Sequence, residues 1–174
     1  MALTDEQIAN KVFLGARDVA EAGDYLWSLR ELSRNRENLD EYRLRKAQDA
    51  ILIAAIVVYA RPFTTSFSNG EAAKKLSPDN LALFDGLEDL QSLHEKVISL
   101  RNQAVAHADW SFHPTALVPS DDVLGFYREF SRLNYMELID HNDFAELIKH
   151  AFKVISDSAY FRDSSLARNF SSRD

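Results

Sequence analysis

Three side chains near position 100 have the types and spacing to act on an anionic group. Arg101 carries a guanidinium that stays charged at any working pH, and its forked donors match phosphate oxygens. His107 carries an imidazole, whose ordinary pKa of about 6.5 suits proton transfer near neutrality. Asn102 brings an amide that can bond a phosphate oxygen or hold the imidazole in one tautomer. Groups of these types can serve a phosphate or nucleotide, but residue type and spacing alone favour the plainer reading, an arginine paired with one of the chain's own carboxylates beside a helix-ending histidine bonded to carbonyls.

The element that must position them is the segment LEDLQSLHEKVISLRNQAVAHADW, Leu87 to Trp110. Leu90, Leu93, Val97, Leu100 and Ala104 recur in threes and fours, which predicts an amphipathic helix from Leu87 to about Ala106. At ~100° per residue this stripe covers roughly 80° of the helix, with Arg101 and His107 roughly 60° to either side of its centre and Asn102 nearly opposite. A guanidinium on the margin of an apolar seam is costly unless something anionic meets it. From Arg101 to His107 an ideal helix turns through about 240° and rises about 9 Å, so the two residues do not share a face. Either the helix ends near Ala106 and the chain swings His107 inward, or two copies meet around a two-fold axis and share one site.

The run Arg101-Asn102-Gln103-Ala104-Val105-Ala106-His107 resembles the signature of the HEPN superfamily of small α-helical domains. In that family an arginine, usually followed by a polar residue, precedes a histidine near the end of a long helix. The trailing Ala106-His107-Ala108-Asp109 is similar to the ending of several branches. The resemblance implies a homodimer with a shared cleft and a metal-independent endoribonuclease of the toxin or defence kind, with RNA or a nucleotide as its guest and no cofactor. In such cleavage the substrate's own 2′-hydroxyl attacks the adjacent phosphate. His107 would then move protons, Arg101 would stabilise the extra negative charge, and Asn102 would orient one of them. A cognate antitoxin is a further partner of toxin-type members. Some branches place a tyrosine two residues after the motif histidine, where a partner antitoxin modifies it; here Asp109 stands there, so that route of regulation is not supported. The competing class is a non-catalytic module that binds a nucleotide, RNA or a protein through the same cleft. A purely structural dimerisation unit is the third.

Arg61, His94 and Asp109 are further candidates for substrate contact. Arg61 precedes Pro62, where a cation at a helix end also serves the helix dipole. His94 lies seven residues before Arg101 and so on nearly the same face, where a histidine at the core margin is the plainer reading. The arginines from Arg30 to Arg45 alternate with Glu31, Glu37, Asp40 and Glu41, the pattern of a solvated, ion-paired helix face. No metal is expected, because neither His107-Asp109-His113 nor His141-Asp143 has a ligand spacing and the chain has no cysteine. The absence of a G-x-S-x-G elbow and of glycine-rich phosphate loops disfavours a serine hydrolase and the familiar ATP- or NAD-binding enzymes. Trp110, Phe112, Phe126, Tyr127 and Phe130 could stack bases, though aromatic residues in such a segment more often pack as core.

The rest of the chain must supply the scaffold. Its 174 residues suffice for one domain with a continuous core, and 5 Gly with 4 Pro argue against a many-turned β architecture. The formal charge of −7 argues against coating duplex DNA, which needs a positive footprint. We therefore expect an all-α bundle of four to five main helices, with a small β excursion around 112–135. Residues 1–162 form a single domain and 163–174 a frayed polar tail.

Thr4 and Gln7 form a capping box opening a first helix that breaks near Gly23 and resumes to Leu32. A second helix runs from about Asp40 to Tyr59 and stops at Arg61-Pro62. Its apolar run Ala50 to Ala60 is too short to span a membrane and reads as buried, so no membrane partner is expected. Phe63 to Gly70 reads as a loop, Glu71 to Leu76 as a short helix, Ser77-Pro78-Asp79 as the start of another, and Asn142 as the cap of the last helix. The opening MALTDEQIAN lacks a basic segment followed by an apolar one, so the expected location is cytoplasmic.

Overall fold

A computed structural model describes residues 5–36, 39–64, 66–68, 71–73, 76–102, 115–120, 125–130 and 135–162. The chain folds as a mainly α-helical protein built on four principal helices: α1 (Asp5–Arg34), α2 (Glu41–Ala60), α3 (Glu88–Leu100) and α5 (His141–Asp157). Helix α1 packs on α2, α2 on α3, α3 on α5 and α5 back on α1, so the four enclose one core. The short helices α4 (Tyr135–Leu138) and α6 (Ala159–Arg162) flank α5. No helix among the described residues is long and apolar enough to cross a membrane.

The core follows the helical period. Helix α1 contributes Val12, Ala16, Val19, Ala22, Leu26 and Leu29, spaced in threes and fours. Helix α2, the most apolar, buries Leu52, Ala55, Ile56, Val58, Tyr59 and Ala60. Helix α5 answers with Phe144, Leu147, Ile148, Ala151 and Ile155. Asp40 caps α2 by accepting from the Arg43 N–H at 2.8 Å, and α2 gives way at Arg61-Pro62 to a 3-10 turn, as the proline demands.

Several local expectations are corrected. Helix α1 does not break at Gly23: buried Ala22 and Leu26 on either side hold it in register, which outweighs a glycine cost of about 1 kcal/mol. Residues Glu71 to Leu76 do not open with a helix, and Phe63 to Gly70 is not all loop. Ser66–Ser68 (β1) and Glu71–Ala73 (β2) pair as an antiparallel hairpin with Phe67 opposite Ala72. Pairing with the strand just before it overrides the helix propensity of Glu and Ala there. The helix after Pro78 is a single 3-10 turn, Asp79–Leu81. Thr4 and the 163–174 tail lie outside the described residues. Where a β excursion is expected, β3 (Thr115–Ser120) pairs antiparallel with β4 (Gly125–Phe130).

The base of the first hairpin is fixed to α1. The Leu76 N–H donates to the Pro62 carbonyl at 2.8 Å, closing the segment on itself. A Cβ at Gly15 would sit 2.6 Å from Leu76 Cδ1 and 3.2 Å from Pro62 Cβ. Gly15→Val should therefore destabilise the fold by about 1–3 kcal/mol in chemical denaturation, as overpacked sites do. An unchanged midpoint would show that the clamp yields.

Asp140, not Asn142, caps α5. Its carboxylate accepts the N–H groups of Asn142 at 2.7 Å and Asp143 at 3.1 Å, while the Asn142 side chain accepts from Arg30 Nη2 at 3.2 Å instead of capping the helix. Those bonds hold the Asp140 carboxyl below its ordinary value of 3.8, with His141 adding a smaller effect. A depressed folded-state pKa contributes stability above the ordinary value and loses it as pH falls through the folded one. Asp140→Asn, which keeps a capping oxygen but no charge, should thus lose the charge-dependent part of the stability in the neutral range and flatten part of the acid limb below pH 3.8, measured as denaturation midpoint against pH.

Candidate functional site

Helix α3 enters the bundle after a turn made by two left-handed residues, Ala82 at φ 49° and Gly86 at φ 71°. Its first turn carries Glu88 and Asp89, which favour the positive end of the helix. Val97 and Leu100 of the expected stripe are buried, while Leu90 and Leu93 are half-buried against the core. Ala104 lies outside the described residues.

His94 belongs to the core and not to its margin, being only 6% exposed. Its Nδ1 lies 2.9 Å from the Tyr59 hydroxyl, with one hydrogen bond between them. The rings of Phe63 and Phe84 stand 4.8 and 4.9 Å from the imidazole. Burial pushes the Tyr59 phenol well above its ordinary pKa, so it keeps its proton. Phe84 in turn stacks on His150, whose Nε2 is 2.7 Å from the Leu83 carbonyl. Two imidazoles thus join α2, α3 and α5 through the 83–84 segment.

The α geometry of α3 runs to Leu100, and residues 103–106, where the helix is expected to continue, lie outside the described residues. The Arg101 N–H reaches both the Val97 and Ile98 carbonyls, and residues 101 and 102 take a wider, π-type turn. Such turns recur at functional sites because they re-aim side chains that a regular helix would fix. The Arg101 side chain is half-buried, and its Nη1 donates to Asn102 Oδ1 at 3.0 Å. Among the described residues no carboxylate pairs with it, although the chain's other arginines often find one. Arg34 meets Glu31 at 2.8 Å, Arg43 meets Asp40 at 3.3 Å and Arg45 meets Glu41 at 3.6 Å, on exposed helix surfaces.

A groove of about 390 Å³ runs along the same stretch of α3. Phe63, Pro78 and Ile98 form its apolar wall. His94, Glu95, Ser99 and Asn102 give it polar edges. Arg101 and Asn102 are therefore brought together, and Asn102 joins them to the groove. His107 and Asp109 lie outside the described residues. Arg61 is exposed at the end of α2, where its carbonyl accepts the Thr64 N–H at 3.4 Å. Its side chain forms no ion pair among the described residues, and the next residue but one, Phe63, lines the groove.

Glu95 and Ser99 are the groove residues that sequence reading passed over. A signal existed: positions 95, 99 and 102 are neighbours on one flank of a helix, away from the apolar stripe. What could not be read was the opposing wall, since Phe63 and Pro78 come from other elements. Among the described residues no three histidine, aspartate or glutamate side chains cluster as metal ligands. No family model, curated protein or solved structure matches the chain.

Proposed function

We propose that this chain is a HEPN-like, metal-independent endoribonuclease that acts as a toxin or defence effector, with its site at the end of α3. The observation that carries the reading is the half-buried Arg101 guanidinium at a π-type turn, bonded among the described residues only to a neutral amide. A charge so placed is stabilised by an anionic guest, and a phosphodiester supplies one. Arg101 binds a non-bridging phosphate oxygen and gains strength as charge builds in the transition state. Asn102 holds the guanidinium through Oδ1 and keeps its amide N–H groups for substrate. His107 takes the proton from the attacking 2′-hydroxyl and returns one to the leaving 5′-oxygen. Two copies meeting at this helix end contribute two of each group around a two-fold axis.

The formal charge of −7 gives a second reading, a non-catalytic nucleotide- or RNA-binding module, because long RNA is repelled except near a local basic site. Incubation of the chelator-treated protein with RNA tests the two. Cleavage leaving 2′,3′-cyclic phosphate ends, by a dimer in light scattering, supports the enzyme. Retention of RNA without cleavage favours the module, and neither cleavage nor retention removes both. Expression of the enzyme should arrest growth, and a cognate antitoxin should relieve the arrest.

A further inference from the structure

We propose that the groove along α3 is a guanine subsite, which selects the base next to the phosphate held by Arg101. The inference rests on the RNA-directed reading above and names the base it prefers. The groove, about 390 Å³, falls within the range of small-molecule sites, about 300–1,000 Å³. It has one apolar wall, from Phe63, Pro78 and Ile98, suited to the face of a planar ring.

Its polar edge has a direction. Glu95 Oε1 accepts from Gln91 Nε2 at 3.1 Å, which steadies the carboxylate on the helix surface. Each carboxylate oxygen has two lone-pair sites, so this bond leaves both oxygens able to accept again. One turn on, about 6 Å along the axis, Ser99 carries a hydroxyl with no partner among the described residues. Three residues further on, Asn102 ends the lining and accepts from the Arg101 guanidinium beside the groove, where the sugar and phosphate belong. The order along α3 is therefore a paired acceptor, a donor, then a cation.

Guanine fits that order. Its Watson–Crick edge offers two adjacent N–H donors, N1 and N2, to the two oxygens of one carboxylate, and its O6 accepts from a hydroxyl beside them. Adenine and cytosine offer one amino group next to a ring nitrogen whose lone pair would face the second carboxylate oxygen. Uracil offers one N–H between two carbonyls, which the carboxylate repels. Because Glu95 is exposed, water competes for it, and the preference should be about tenfold, at the low end for bonds to a charged group.

The experiment is titration of the full chain with GMP, AMP, CMP, UMP and guanosine by calorimetry. GMP should bind about tenfold more tightly than the other three nucleotides. Glu95→Gln, which offers one acceptor and one donor in place of two acceptors, should abolish that preference with an unchanged melting temperature. Arg101→Ala should weaken all four nucleotides alike and leave the order intact. Equal affinities for the four nucleotides overturn the subsite, as does a GMP preference that survives Glu95→Gln. The two readings fail separately. Preference for GMP lost in Glu95→Gln, with no RNA cleaved, keeps the subsite and removes the enzyme. Cleavage after every base at equal rates, indifferent to Glu95→Gln, keeps the enzyme and removes the subsite.

Discussion

Arg101→Ala should lower the rate of metal-free RNA cleavage by about 10²- to 10³-fold, the loss typical of one charge-stabilising group in the transition state. His107→Ala should cost about 10²-fold or more, as removal of an acid–base group does. The folded state should hardly notice the first change. Arg101 is half-buried with one side-chain bond among the described residues, to its own neighbour. Removing a guanidinium that no carboxylate there balances leaves no buried charge behind, so the melting temperature should stay close to the parent's. Arg101→Lys separates charge from geometry. A point charge keeps part of the attraction for phosphate but not the fork, so this variant should fall between parent and alanine. Full activity in Arg101→Ala would sink the assignment, and so would a loss that merely tracks unfolding.

The second large effect is on stability. Phe144→Ala should cost about 3–5 kcal/mol, which for a protein of this size lowers the melting temperature by roughly 6–20 °C. Phe144 is fully buried and stands edge-on to Tyr59, ring centroids 5.4 Å apart, at the meeting of α2 and α5. Tyr59 also touches Phe63 at 5.4 Å and bonds His94, so a cavity at 144 loosens three helices together. A domain's whole stability is about 5–15 kcal/mol, which makes this a large share. Tyr59→Phe serves as the comparison. It keeps the ring and deletes only the hydroxyl bonded to His94 Nδ1, for a cost of about 1–3 kcal/mol. Equal effects from the two changes would mean that the hydrogen bond and not the packing holds this corner.

How far the sequence foretold this molecule depends on whether the deciding contact was local. Helix α2 was legible at both ends, because Asp40 and Arg61-Pro62 act on their own neighbours. The stripe of α3 was legible for the same reason. The change of geometry at its end was not. A regular period predicts an unbroken α-helix through 101–102, and the π-type turn there is an irregularity that the apolar pattern does not record. The pair Arg101 and Asn102 was picked out by residue type, and a direct hydrogen bond joins the two side chains. His94 was misplaced at the core margin because its partner, Tyr59, lies 35 residues away and no periodicity connects them. The strand Glu71–Ala73 was missed although its partner lies just before it in the chain, because Glu and Ala carry helix propensity and only the pairing makes them extended.

Helix α2 has one further consequence. Its buried positions from Leu52 to Ala60 spread over an arc of roughly 200°, more than half its circumference. A helix that faces solvent along a broad strip can swivel a little to bring an ill-suited side chain outward, and α2 has no such strip in its second half. Mutational tolerance should therefore be lopsided across the molecule. Efforts to improve solubility or attach labels belong on the outer surfaces of α1 and α5, at places such as the exposed Trp27 and Phe152, and should leave the second half of α2 untouched.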